Sequence, residues 1–365
     1  MVEPLKNLYN ESFIDRLIGE LHGVYASFDG VAFKQQLFDS AWPERELKQR
    51  MRHITEMLHL YLPTDYQQAL NILKPVSMHF SGFEPMFFPD YVECYGLDDY
   101  QTSISALEHF TQYSSSEFAV RPFIERYGDQ MMLQMQCWAE SKNHHVRRLA
   151  SEGCRPRLPW AMALPAFKRN PDAVIEVISK MRCDESEYVR RSVANNLNDI
   201  SKDHPERLLQ IAREWLGHDV KTDWIVKHAC RSELKRGVPE ILKLFGYSAP
   251  NHVEVTNFSL QPEVSIGDGL AFSFQLLTSK ESLGRLRIEY AIDFLKANGK
   301  QRRKVFKIAE SNYAEAEKNI SRCHSFRVIS TRKYYPGEHA LAVLINGEEF
   351  LAESFTLDRR GRGTG

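Results

Sequence analysis

The sequence predicts a mostly α chain, a solenoid of stacked helix pairs, followed by an all-β sandwich. Three observations predict it. Up to about residue 245, short amphipathic segments recur with apolar residues three and four positions apart. Within that region a basic motif repeats at a spacing near 40 residues. After Gly246-Tyr247-Ser248-Ala249-Pro250 the apolar period drops to two. At ~150 residues per domain, a chain of 365 residues has room for two or three domains. The expected division is a helical domain over 1–248, a sandwich over 251–358 and a disordered basic tail over 359–365.

In the first part, Glu44–Leu62 and Ala173–Met181 show the helical spacing most clearly. Pro43, Pro63, Pro75, Pro89, Pro171, Pro205 and Pro239 punctuate it, as expected between helices. No stretch there alternates strictly, so no sheet is predicted. The repeat aligns Val146-Arg147-Arg148 with Val189-Arg190-Arg191 and with Val226-Lys227-His228, at offsets of 43 and 37 residues. Each copy follows a polar or acidic turn, and the period suits HEAT-type helix pairs. Stacking such pairs repeats one residue type along one face. Here that type is basic, which suits a phosphate backbone; the same Arg pairs could instead brace neighbouring helices through the acidic turns.

Beyond residue 250, Val253–Phe258, Leu270–Leu276, Arg285–Ile292 and Ala340–Ile345 alternate. Gly267-Asp268-Gly269, Asn298-Gly299, Pro336-Gly337 and Asn346-Gly347 mark turns between them. Seven short strands without an intervening helix predict a sandwich of immunoglobulin type. Its Lys300–Lys304 stretch with Lys307 lies on or beside a hairpin, either as a solvated face or as a contact with a polyanion.

The formal net charge of −1 conceals an uneven distribution. Residues 1–141 carry 10 Lys+Arg against 20 Asp+Glu, whereas residues 142–236 carry 19 against 13. The middle of the chain is therefore where a polyanion site is expected. The six cysteines include no C-x-x-C pair and no Cys/His set with zinc spacing, so neither disulfides nor a structural metal is expected. No apolar run is long enough to span a bilayer, and Met1–Tyr9 carries no signal-like segment; a cytoplasmic protein without membrane contact is expected. Nucleotide-binding, zinc-protease and serine-hydrolase motifs are absent. What remains is carboxylates, aromatics and Arg within a basic helical array, which suits chemistry driven by electrostatics.

Several segments together carry a family resemblance. They are Trp42–Arg50, Phe88–Leu97, Ser115–Phe123 and Arg147–Trp160. In these the chain resembles the AlkC branch of the AlkC/AlkD family of bacterial alkylpurine DNA glycosylases, some of which carry a C-terminal immunoglobulin-like domain. The resemblance implies a monofunctional glycosylase acting on double-stranded alkylated DNA. It implies excision of cationic bases, 3-methyladenine and 3-methylcytosine, without base flipping and without metal or cofactor. It assigns Glu152 as the leading catalytic carboxylate, Glu117 as the second, and Trp160 as the aromatic against the lesion or its deoxyribose. Arg148, Arg155 and Arg157 are the implied phosphate contacts, with Arg190, Arg191, Lys227 and Arg231 further along the array. Trp138 is either a second site aromatic or, as its apolar neighbours favour, a core residue. A monomer is expected. The alternative from composition and repeat alone is a non-enzymatic scaffold that binds nucleic acid or protein.

Overall fold

A computed structural model describes residues 4–329 and 332–359 of the chain, which divides into two compact units after Ala229. The basic tail from 360 to 365 lies outside the described residues.

The first unit is built of helices: α1 (Glu11–Val24), α2 (Gly30–Leu37), α3 (Leu47–Tyr61), α4 (Tyr66–Ser77), α5 (Phe87–Tyr95), α6 (Tyr100–Phe110), α7 (Val120–Trp138), α8 (His144–Gly153), α9 (Pro165–Arg169), α10 (Asp172–Ser179), α11 (Glu187–Ile200), α12 (Pro205–Trp215) and α13 (Val220–Ala229). Their starts are written locally. Asn10, Asp29, Asp65, Asp99 and Asn143 each precede a helix and accept a hydrogen bond from a first-turn backbone N–H. Each such cap is worth about 1 kcal/mol. α8 packs on α7 and α11, and α11 packs in turn on α13. Trp138 is buried, its indole N–H donating to Glu108 at 2.9 Å.

The repeat is visible in hydrogen bonds, with one correction. Arg147 Nη1 donates to the carbonyls of Ser141 and Lys142, and Arg190 Nη1 does the same to Asp184 and Glu185. In the third copy the residue tied six positions back is Asp223, which accepts from Gly217 N at 2.7 Å. The third register therefore slips one helical turn: Thr222-Asp223-Trp224, not Val226-Lys227-His228, matches Val146-Arg147-Arg148. Thr222 and Val226 are both buried. Registers one turn apart look alike in sequence because both place an apolar or small residue on the inner stripe. Lys227 thus sits one turn along α13, and Arg231 falls in the second unit.

The second unit opens with α14 (Arg231–Lys235) and α15 (Pro239–Leu244), which group with the strands rather than with the helices before them. The packing boundary thus precedes the change of periodicity at 246–250. Gly237 and Gly347, both at positive φ, explain the grouping: a Cβ on Gly347 would stand 2.7 Å from the Gly237 Cα. Asn346 Nδ2 also donates to the Ser248 carbonyl at 2.8 Å.

Among the described residues eight strands follow: β1 (Val253–Leu260), β2 (Glu263–Ser265), β3 (Gly269–Thr278), β4 (Gly284–Leu295), β5 (Gln301–Tyr313), β6 (Glu317–Ser325), β7 (Gly337–Ile345) and β8 (Glu348–Asp358). They form sheets of order β1-β3-β6 and β2-β8-β7-β4-β5, a sandwich. The strand beyond the expected seven is β2, whose three residues are too short to alternate; it pairs parallel with β8. Phe272, Phe274, Leu286, Ile288, Ile292, Leu341 and Phe355 are among the buried residues between the sheets.

Buried in this core, His324 accepts or donates through Nδ1 to the Tyr290 hydroxyl at 2.8 Å. Burial, then Arg332 and Lys304, push its pKa down to about 4 from the usual 6.5. Between those values the unfolded chain binds a proton that the folded chain refuses. Sandwich stability should be flat above pH 6.5 and fall as the pH drops toward 4, by at most about 3 kcal/mol. Buried His339 shifts in the same direction. Thermal unfolding from pH 7.5 to 4.5 checks this, with His324→Phe expected to flatten the slope; an equal slope in the variant would contradict it.

Candidate active site

Four segments bring the functional side chains together. The turn before α7 supplies Glu117, α8 supplies Arg148 and Glu152 one turn apart, and α11 supplies Tyr188, Ser192 and Asp199. The loop after α8 supplies Arg155 and Trp160. Their charges alternate in a row: Glu117, Arg148, Glu152, Arg155, Asp199, Lys202.

Glu152 is 5% exposed. Its Oε1 accepts from Arg155 Nη1 at 2.6 Å and lies 3.6 Å from Arg148 Nη2. Its Oε2 accepts from Ser192 Oγ at 2.6 Å. Glu117 Oε2 accepts from Ser115 Oγ at 2.8 Å and from Arg148 Nη1, which also donates to Ser115 Oγ. The Arg148 guanidinium lies over the Tyr188 ring, 4.8 Å from its centroid. Burial works against the charge of Arg148, but Glu152 and Glu117 outweigh it and its pKa is raised. Arg155 behaves likewise between Glu152 and Asp199.

With Tyr188 and Ser192, Asp199 is among the site residues that sequence reasoning missed. It is buried, accepts from Arg155 Nε at 2.9 Å, and accepts from Lys202 Nζ at 2.8 Å. A signal for it existed. A carboxylate in the last turn of a helix opposes the helix dipole, so it requires a cationic partner.

The expected phosphate contacts separate into kinds. Arg155 is 8% exposed and enclosed by two carboxylates, which makes it their counter-ion in place of the expected free contact. Arg157 grips Asp203 with two bonds at 3.1 and 2.6 Å on a half-exposed surface and holds that carboxyl below its usual range. Arg190 is engaged with turn carbonyls, and Arg191 pairs with Glu187 in the open. Of the set, Arg148 combines a carboxylate partner with a place in the cavity wall.

That cavity, of about 350 Å³, is lined by Phe83, Met86, Tyr113, Glu117, Arg148 and Tyr188, among others. Glu152 lies behind Arg148 and outside the lining. Trp160 stands beside it, edge-on to Phe83 with centroids 6.3 Å apart. The indole is 62% exposed and its backbone is left-handed at φ +66°. Such a conformation costs an L-residue about 1–2 kcal/mol. Arg121 fastens the loop: its side chain is fully buried and donates to the carbonyls of Gly153, Arg155 and Met162 at 2.7–2.9 Å. Among the described residues no cluster of three or more His, Cys, Asp or Glu could hold a metal ion, and no helix is long and apolar enough to cross a membrane.

A row of carboxylates separated by Arg side chains, beside an exposed aromatic, can stabilise developing positive charge and orient a water. Comparison with known proteins fits that chemistry. Residues 254–359 match the family described as the C-terminal Ig-like domain of the uncharacterised protein YhaZ. The chain is 49% identical to YhaZ of Bacillus subtilis over 346 residues, 94% of this chain and 96% of that one. It superposes on the alkylpurine DNA glycosylase AlkC of Pseudomonas fluorescens, solved bound to DNA containing an abasic site analogue. The TM-score is 0.93 at 37% identity, covering 98% of this chain and all of that one.

Proposed function

The chain belongs to the AlkC branch of the alkylpurine DNA glycosylases and is a DNA glycosylase; on that premise we propose that it excises cationic alkylated bases from duplex DNA. The substrates are 3-methyladenine and 3-methylcytosine, released by hydrolysis of the N-glycosidic bond without base flipping. The protein acts as a cytoplasmic monomer and needs no metal or cofactor. The observation that carries this reading is the convergence of Glu117, Glu152 and Asp199 around Arg148 and Arg155, beside exposed Trp160.

N3-alkylation puts a formal positive charge on the base, so the bond breaks toward an oxocarbenium-like sugar without prior protonation of the leaving group. The protein's task is to stabilise positive charge and to position water. Glu152 is the leading fixed anion, and its bond from Ser192 sets the direction of its second oxygen. Arg148 exchanges Glu117 for a phosphate beside the lesion, which frees the Glu117 carboxylate as an acceptor for water. The Trp160 indole meets the cationic base or its sugar, an attraction worth about 0.5–2 kcal/mol.

The sandwich adds a second contact with the DNA backbone. In β5, Arg303 is paired with Asp293 and Glu349, so the expected basic run is not uniform. Together with Arg303, Arg302 and Lys304 join Lys296, Arg332 and Lys333 around a cavity of about 760 Å³. Replacing both Arg302 and Lys304 by Ala should weaken duplex binding and lower the slope of log affinity against log salt by about two. An unchanged slope would return this surface to a merely solvated face.

The reading is tested by exposing methylated and unmethylated duplexes to the protein and counting alkali-labile abasic sites. Sites should accumulate in methylated DNA alone. Their absence, with binding intact, would sink the proposed substrate class.

A further inference from the structure

We propose that Lys48 is a positioning residue for this reaction, fixing the loop tip that presents the Trp160 indole; this rests on the reading of Trp160 as the aromatic that meets the lesion. Among the described residues, three non-glycine residues have positive φ: Asn257, Asn346 and Trp160. Asn tolerates that region because its short polar side chain bonds locally. A bulky aromatic does not, and strain of this kind points to function when the surroundings impose it. Core packing does not explain it, because the indole is 62% exposed.

The surroundings that impose the conformation are two cations from distant parts of the chain. Arg121 holds the two ends of the loop, through Gly153 and Arg155 before the tip and Met162 after it. Lys48, 112 residues away at the start of α3, holds the tip itself: its Nζ donates to the Trp160 carbonyl at 2.8 Å. The same ammonium lies over the Phe118 ring, 5.0 Å from its centroid. Phe118 is the neighbour of Glu117, so one side chain ties the indole's loop to the turn that carries a site carboxylate. An ammonium on a flexible stem that makes both contacts sets the spacing between aromatic and anion.

The test uses the full-length protein labelled with 5-fluorotryptophan, the Trp160 resonance being assigned by its loss in Trp160→Phe. In Lys48→Met that resonance should move or broaden, and single-turnover excision from methylated duplex should slow about tenfold with DNA affinity nearly unchanged. Lys48→Arg, which keeps a donor and a charge, should restore both. An unmoved resonance with a wild-type rate would overturn the proposal. So would a variant that excises at the wild-type rate but loses affinity and salt dependence, because Lys48 would then be a phosphate contact. If Trp160→Ala excises normally, the reading of Trp160 fails and takes the functional half of the proposal with it. The fluorine resonance would then still decide whether Lys48 fixes the loop.

Discussion

Glu152→Gln is expected to slow base excision by about 10²–10³-fold while leaving affinity for duplex DNA intact or raised. The substitution keeps the shape of the side chain and one acceptor oxygen for Arg155, and its amide NH2 replaces the oxygen that accepts from Ser192, so the Ser192 hydroxyl must turn to accept; what is removed is the buried anion beside Arg148. Asp199 continues to neutralise Arg155, so the buried network is not left with an unpaired cation and the fold should survive. Loss of a negative charge near the DNA reduces repulsion, which is why binding does not suffer. Single-turnover excision and direct binding, measured on one preparation, separate the two effects. A variant that excises at the wild-type rate would remove Glu152 from the reaction.

The second large effect is structural. Arg121→Ala should destabilise the helical unit by about 3–5 kcal/mol. Three loop carbonyls would lose their donor and a fully buried side chain would leave a void. Burial already pushes the Arg121 pKa down to about 10, so the charge is held at a cost that the three bonds offset only in part, its Nη2 being buried without a hydrogen-bond partner. Arg121→Lys keeps the charge but cannot fan out to all three carbonyls, and should recover only part of the loss. Urea unfolding of full-length protein, followed by far-ultraviolet circular dichroism, measures this. A loss below about 1 kcal/mol would mean that water replaces the guanidinium.

What the sequence made legible was whatever is encoded locally. The polar or acidic turns before the repeats, the apolar stripe of α3 and the alternation in β3 each need only a few neighbouring residues, and each marked its element. Arg148 and Glu152 were legible as a pair because four residues make one helical turn. What depends on long-range partners was not. Arg155 and Arg157 look like free cations in sequence; their carboxylates, Asp199 and Asp203, stand more than 40 residues away. The third repeat slipped by a turn because a helix presents similar faces every four residues. The grouping of α14 and α15 with the sandwich depends on Gly237 meeting Gly347, a contact across 110 residues. Nothing in Pro156–Trp160 announces that Trp160 is left-handed, since the cations that impose it come from α3 and α7.

The central claim is that this carboxylate network releases cationic bases from duplex DNA. The direct measurement is chromatography of the free bases released from methylated duplex, in the presence of a metal chelator, by wild type and by Glu152→Gln. Release of 3-methyladenine and 3-methylcytosine by wild type, with Glu152→Gln lower by about 10²-fold or more, is the predicted result. No release by folded protein that binds the duplex, or equal release by both proteins, would contradict it.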